Sequence, residues 1–270
     1  MTTVLDRYAA FAFDLDGVIW RAGTIFPEAP PAIRAIQDAG KRLLFLTNNA
    51  SYLPSWIVEH LSGAGITVGE EAIMTSAIAA RTYVTHHGLV GKRAFVMGTQ
   101  PVVDQIADLL EVVPVERGTA VDVVIVARDL AFTYDRLAAA ADAIRNGAVF
   151  LASNRDHVMP TVDGFEPGTG SVLAAVEAAS GHTAIALGKP ELPMMEAAAE
   201  RIGREGVLMT GDRTDSDVAG ARQVGWDAAI VLTGVTKAGM PLDPAPDYVF
   251  PTLADLVGYR HSGNSPKEDR

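Results

Sequence analysis

Asp14 and Asp16 bracket Leu15 at the end of an apolar run from Tyr8 to Phe13, and Gly17 follows them. Such a run reads as a buried strand, and a buried strand that ends in two carboxylates is costly unless something offsets the charge. At a strand's carboxyl end in an open α/β sheet, residues leave the core and face the crevice where ligands bind. Asp14 and Asp16 can therefore address one site while Leu15 packs. One divalent cation that prefers oxygen ligands, as Mg²⁺ does, would neutralise both. Asp and Gly are also ordinary turn formers, so the pair takes its meaning from what else reaches the same edge.

Three further apolar runs end in polar tips. Arg42 to Leu46 leads into Thr47-Asn48-Asn49, and Val207 to Met209 leads into Thr210-Gly211-Asp212, with Asp215 and Asp217 just beyond. Ala184 to Leu187 leads into Gly188-Lys189-Pro190. In a parallel sheet all such tips lie along one edge. That edge would hold a carboxylate, hydroxyl and amide donors, a lysine and more carboxylates. This is the equipment for moving a phosphoryl group: cations offset charge on its oxygens, donors position them, and a carboxylate attacks in line.

The elements that must position these tips follow from the pattern. A helix beginning at Pro30 or Pro31 and stopping at Gly40, with Ile33 and Ile36 as its apolar stripe, joins the first two strands into a βαβ unit. Arg21 to Pro27 carries turn residues and suits a small hairpin beside Asp16. Pro54 to Leu61 reads as a helix, and Ile73 to Ser76 as a short strand or connector. From about Ala79 to Thr183 a second alternation runs. Its strands are at Arg93–Met97, Val121–Ala127 and Ala148–Ala152; its helices are at Pro101–Leu110, Tyr134–Asn146 and Ser171–Ala179; a loop runs from Ser153 to Thr169. The first pattern then resumes with helices at Met194–Ile202 and Asp215–Val224 and strands at Ala228–Leu232 and Asp247–Val249. The expected class is α/β, a Rossmann-like parallel-sheet core with a separate α/β domain inserted. Residues 1–78 and 185–260 form the core, 79–184 the insertion, and 261–270 a polar, flexible tail.

Composition sets outer bounds. With 270 residues and 49% apolar side chains the chain has ample material for packed cores. A formal net charge of −11 argues against nucleic acid and anionic membranes as partners. An anionic substrate stays compatible, because a metal and a lysine reverse the sign locally. The chain has no cysteine, hence no disulfide and no thiolate chemistry. Neither a signal peptide nor a membrane-length apolar run is visible, so a soluble, cytoplasmic protein is expected.

Phe13 to Val18, Leu46 to Asn49, Gly188-Lys189-Pro190 and Gly211 to Asp217 occur in that order. They resemble the four motifs of the haloacid dehalogenase (HAD) superfamily of phosphatases. The long interval between Thr47 and Lys189 is where the NagD-like branch of that superfamily carries its cap domain. Asn154 to Ser171, with Pro167-Gly168-Thr169-Gly170-Ser171 at its end, and Leu232 to Val235 are similar to that branch as well. The resemblance covers roughly Arg7 to Tyr259. It implies Asp14 as the nucleophile that becomes phosphorylated and Asp16 as the acid and base for leaving group and water. It implies that Thr47, the backbone N–H of Asn48, and Lys189 hold the phosphate. Asp14, the Asp16 carbonyl and Asp212 would bind Mg²⁺, with Asp217 and Asp215 supporting the metal's surroundings. It also implies a small phosphorylated metabolite as substrate and a homodimer formed through the cap.

Other motif readings fail on spacing. Asp212 to Asp217 is no calcium loop, because Asp217 stands where the loop needs glycine and Gln223 where it needs glutamate. Gly168-Thr169-Gly170 lacks a third glycine and a preceding strand, Gly91-Lys92 lacks the following Ser or Thr, and adjacent His86 and His87 point apart on a helix. A mutase or transferase would need a cap between the first two motifs or a second acceptor, and neither is visible. A non-catalytic phosphometabolite-binding module is the alternative of another class.

Substrate choice rests on the insertion. Its candidate specificity residues are Asn154, Arg155, Asp156 and Met159, together with Arg128. The pyridoxal phosphate phosphatases of the branch carry a histidine at the place of Met159 and an arginine at that of Ser51, so this chain departs from them twice. Arg128, where relatives usually have an apolar residue, is read either as a substrate contact or as a surface arginine on a cap strand. A polyol or sugar phosphate such as glycerol 3-phosphate is favoured. Pyridoxal phosphate, phosphoglycolate and nucleotide monophosphates are the alternatives.

Overall fold

The structure, a computed structural model, describes residues 3–161 and 164–259. The expected tail, 261–270, lies outside the described residues. The chain divides into two compact units: Met1–Thr47, Ile57–Met74 and Met195–Arg270 form the first, and Asn48–Trp56 and Thr75–Met194 the second. The second unit thus takes in the turn after Thr47 and the segment around Lys189 as well as the inserted alternation.

The first unit is built on a six-stranded sheet in the order Tyr248–Phe250, Asp227–Val231, Val207–Gly211, Ala10–Asp14, Arg42–Thr47, Ile73–Thr75. The pairings from Tyr248–Phe250 across to Arg42–Thr47 are parallel. The central strand, Ala10–Asp14, is buried along its whole length, which is why its sequence is continuous in apolar residues rather than alternating. Phe11 and Phe13 stack at 6.2 Å, and Phe13 meets Phe45 of the neighbouring strand at 5.9 Å. The connecting helix Ala29–Asp38 starts with prolines in its first turn, where a missing N–H costs nothing, and buries Ile33 and Ile36. A small antiparallel hairpin, Trp20–Arg21 with Thr24–Ile25, follows the first strand as the turn residues predict.

At one edge of this unit Tyr8, which is 3% exposed, donates to Asp227 Oδ2 at 2.7 Å and lies 3.3 Å from the Tyr248 hydroxyl. Burial, with those two neighbours, pushes its phenol well above the ordinary 10.0. The folded state thus keeps this phenol neutral at a pH where the unfolded chain ionises it. Its contribution is complete below pH 10 and is lost as pH rises further, at about 1.4 kcal/mol per pH unit. Urea midpoints are expected to fall as pH rises from about 10 to 11, and to fall less steeply in Tyr8→Phe.

The second unit has its own five-stranded parallel sheet in the order Ile185–Ala186, Val149–Ala152, Val123–Val126, Arg93–Met97, Glu111–Val113. Helices Tyr134–Arg145 and Thr169–Ser180 cover it, and Ala139, Ala140 and Ala143 let the first of them approach the sheet closely. Two stretches differ from expectation. The helix expected over Pro101–Leu110 ends at Asp104. The Gln105 carbonyl, which a longer helix would use internally, accepts from Arg81 Nη1 at 2.6 Å, and the chain turns into the edge strand Glu111–Val113. The expected loop after Ser153 contains an antiparallel hairpin, Val158–Thr161 with Gly164–Pro167. Its second strand is exposed throughout, so no burial alternation marks it in the sequence. Among the described residues no helix is long and apolar enough to cross a membrane.

Candidate active site

The order of strands in the first unit sets three acidic or hydroxylic tips side by side. Phe13 pairs with Thr210 and Asp14 with Leu46, so Asp14, Asp212 and Thr47 emerge from three adjacent strands at the same end. Asp14, Asp212 and Asp217 each place a carboxylate oxygen within 4.8 Å of the others. They are 8%, 3% and 1% exposed. Three buried like charges at that spacing repel strongly unless a cation or protons offset them. All the donor atoms are hard oxygens, with no imidazole or thiolate, a set that suits hard divalent ions such as Mg²⁺ rather than softer ones such as Zn²⁺ or Cu²⁺.

The surrounding backbone holds this cluster rather than merely permitting it. Expected as a plain helix, the segment after Asp212 begins with a π-helical turn, Thr214–Val218, before the helix Ala219–Gln223. That turn brings Asp217 Oδ2 back to accept the N–H groups of Asp212 at 3.1 Å and Arg213 at 3.0 Å. Asp212 Oδ2 accepts the Val235 N–H at 2.5 Å. Gly17 has φ of +86°, and a Cβ there would sit 2.4 Å from Asp212 Oδ2; at Gly234 the distance would be 1.9 Å. Both glycines exist because Asp212 needs backbone close on either side. Thr233 Oγ1, donating to the Gly17 carbonyl at 2.6 Å, ties the two turns together.

Asp16 and Asp215 stand outside the three-carboxylate cluster. Asp16 is half-buried, and its Oδ1 accepts the indole N–H of Trp20 at 2.9 Å. Asp215 is held by Arg213 through two hydrogen bonds, 3.0 and 2.8 Å, and the guanidinium lowers its carboxyl below the usual range.

In the second unit the sequence candidates gather around Asn48. Its carbonyl accepts from Ser76 Oγ at 2.7 Å and from Asn154 Nδ2 at 2.8 Å. Its side-chain amide donates to Asp156 Oδ2 and to the Lys189 carbonyl, both at 2.9 Å. The second and third sequence motifs are thereby joined by a direct hydrogen bond, and Lys189 is buried. Asn154 is the bracket: it holds Asn48 with one end and the Asp156 N–H, at 3.0 Å, with the other. Gly188 has no room for a side chain, since a Cβ would lie 2.5 Å from Asn48 Oδ1 and 2.6 Å from the Ser153 carbonyl. Gly188→Ala is expected to displace the Asn48–Lys189 link, to slow the reaction this segment serves by ~10²-fold and, because one clash is with backbone, to destabilise the fold by about 1–3 kcal/mol. Steady-state rates and thermal melts of the purified variant measure both.

The remaining candidates sit further along the same unit. Arg155 donates to Glu177 at 3.1 Å and to the Ala184 carbonyl at 2.9 Å. Met159 pairs across the hairpin with Glu166, which forms an ion pair with Arg128. The Arg128 side chain is 18% exposed, and its Nε is buried without a hydrogen-bond partner among the described residues. Sequence reasoning missed Trp20 and the Val235 N–H. For Trp20 a signal existed: a buried indole N–H seeks an acceptor, and an acid lies four residues before it. For Val235 there was none, because a backbone N–H carries no residue type.

Residues 11–109 match a family model described as haloacid dehalogenase-like hydrolase, and residues 186–256 match a second, HAD hydrolase-like model. A 5'-nucleotidase of Bacillus subtilis (strain 168) is 30% identical over 259 residues, covering 94% of this chain and 100% of that protein. This chain belongs to the haloacid dehalogenase-like hydrolases. The D-glycerol 3-phosphate phosphatase of Mycobacterium tuberculosis is 33% identical over 242 residues, 88% of this chain and 67% of that one. A crystal structure of a glycerol phosphate phosphatase from the same organism, in complex with magnesium, superposes with a TM-score of 0.82 at 31% identity, covering 95% of this chain and 78% of that chain. The haloacid dehalogenase-like fold accounts for the parallel order of the core sheet and for the convergence of Asp14 with Asp212.

Proposed function

We propose that this haloacid dehalogenase-like hydrolase is a Mg²⁺-dependent phosphomonoesterase that cleaves a small polyol or sugar phosphate through an aspartyl-phosphate at Asp14. The phosphatase class follows from the family and from the activities of its relatives. The observation that carries the mechanism is the cluster of Asp14, Asp212 and Asp217 at the end of adjoining buried strands. In the proposed reaction an Asp14 carboxylate oxygen attacks phosphorus in line, the ester oxygen leaves, and Asp16 supplies its proton. Asp16, now ionised, takes a proton from the water that attacks the phosphoenzyme. Inorganic phosphate leaves and Asp14 is regenerated. Thr47 and the Asn48 N–H orient the phosphate oxygens, and Lys189 offsets their charge.

Asp14, the Asp16 carbonyl and Asp212 would hold Mg²⁺, with Asp217 fixing Asp212 through the backbone. When bound, the ion offsets negative charge on nucleophile and phosphate so that the two can approach. Asp215, engaged by Arg213, would act only through the metal's waters.

The glycerol 3-phosphate relative supports a polyol substrate. A nucleoside 5'-monophosphate is the second reading, favoured by the relative that matches over its whole length. Comparing kcat/KM for glycerol 3-phosphate, sugar phosphates, nucleoside 5'-monophosphates, phosphoglycolate and pyridoxal phosphate decides between them. The expected order puts the polyol or sugar phosphate first. Release of phosphate from 4-nitrophenyl phosphate that survives EDTA would sink the metal-dependent mechanism.

A further inference from the structure

We propose that Trp20 is a positioning residue for the Asp16 carboxyl group: its indole N–H pins one oxygen, which aims the proton-carrying edge at the leaving group. The inference rests on the reading of Asp16 as the acid and base of a phosphatase. The Trp20 Nε1–Asp16 Oδ1 distance is 2.9 Å; Trp20 is 2% exposed and Asp16 half-buried, so the donor end of the bond is kept from water.

The indole is itself held in place. His60 from the helix Pro54–Gly63 meets the Trp20 ring edge-on at 5.4 Å, and His60 Nε2 lies 2.7 Å from the Gly23 carbonyl in the hairpin turn. The backbone bridge between Asp16 and Trp20 and the Gly17 N–H to Trp20 carbonyl bond at 2.7 Å close the same turn. A carboxyl group on a flexible turn otherwise rotates about χ2, and each wrong rotamer is a lost encounter. A fixed donor on one oxygen selects one rotamer. It also restricts proton transfer to and from substrate to the other oxygen, Oδ2.

The test uses a series of aryl phosphates that share a binding group and differ in leaving-group basicity, from 4-nitrophenyl to phenyl phosphate. The 4-nitrophenolate departs without a proton, whereas phenolate gains from one. In Trp20→Phe, kcat/KM for phenyl phosphate is expected to fall ~10–30-fold and that for 4-nitrophenyl phosphate by less than ~3-fold. Because this is a ratio between substrates, it is insensitive to any fraction of the variant that fails to fold. A spectroscopic arm needs no turnover. The chain has three tryptophans, so three indole N–H signals are expected in a ¹H–¹⁵N spectrum, and Trp20→Phe identifies one by its loss. That signal is expected to move in Asp16→Ala, in which the other two stay put.

Equal losses on both substrates, or an indole signal unmoved by Asp16→Ala, would overturn the proposal. An Asp16→Asn variant that keeps full activity on phenyl phosphate would instead overturn the acid–base reading beneath it, and the spectroscopic arm would still report on the contact.

Discussion

Asp14→Asn is expected to leave the fold intact and reduce phosphate release from 4-nitrophenyl phosphate by ~10⁴-fold or more, the scale seen when a covalent nucleophile is removed. The substitution is isosteric, so the strand end keeps its shape. Asp14 terminates a strand whose other residues are wholly buried and paired on both sides, with Val207–Gly211 and Arg42–Thr47. An amide oxygen attacks phosphorus far more weakly than a carboxylate, and the covalent path closes. Replacing one of three crowded carboxylates also relieves repulsion, so the metal-free variant is expected to melt no lower than the wild type. Two measurements check this: the initial rate, and an acid-quenched digest in which the wild-type peptide containing Asp14 carries a phosphoryl group and the variant peptide does not. A residual rate above about 1% of wild type would remove Asp14 as the nucleophile.

Asp212→Asn should produce a reversal of stability order that depends on Mg²⁺. The Asn oxygen still accepts the Val235 N–H, so the turn at Gly234 is preserved. Without metal, removing one charge from a cluster spaced within 4.8 Å is expected to stabilise the protein by on the order of 1–3 kcal/mol. With Mg²⁺ at a hundred times its dissociation constant, the wild type gains ~2.7 kcal/mol by mass action, and the variant gains little. The wild type should therefore melt below the variant in EDTA and above it, or level with it, in Mg²⁺. Activity at fixed Mg²⁺ should fall by ~10²-fold or more. If both proteins respond equally to Mg²⁺, the ion binds elsewhere and the cluster has another use.

The order of the motifs and the class of fold were legible along the chain because both are written in local patterns. Buried parallel strands need unbroken apolar runs, so Phe11 to Phe13, Leu44 to Leu46 and Val207 to Met209 announced themselves, and the polar residue closing each run marked a sheet edge. What the tertiary structure alone decided was which side chains share a space and how they are aimed. The early stop of the helix at Asp104 depends on Arg81, distant in sequence, capturing one carbonyl. The second strand of the added hairpin, Gly164–Pro167, is exposed throughout and so has no buried face to imprint a period of two. The link from Asn48 to Lys189 spans 141 positions, and the grip of Asp217 on its neighbours requires a π-helical turn that no residue type signals. Hydrophobic periodicity is a property of neighbours in the chain, whereas hydrogen-bond geometry between separate tips arises only once packing has brought them together.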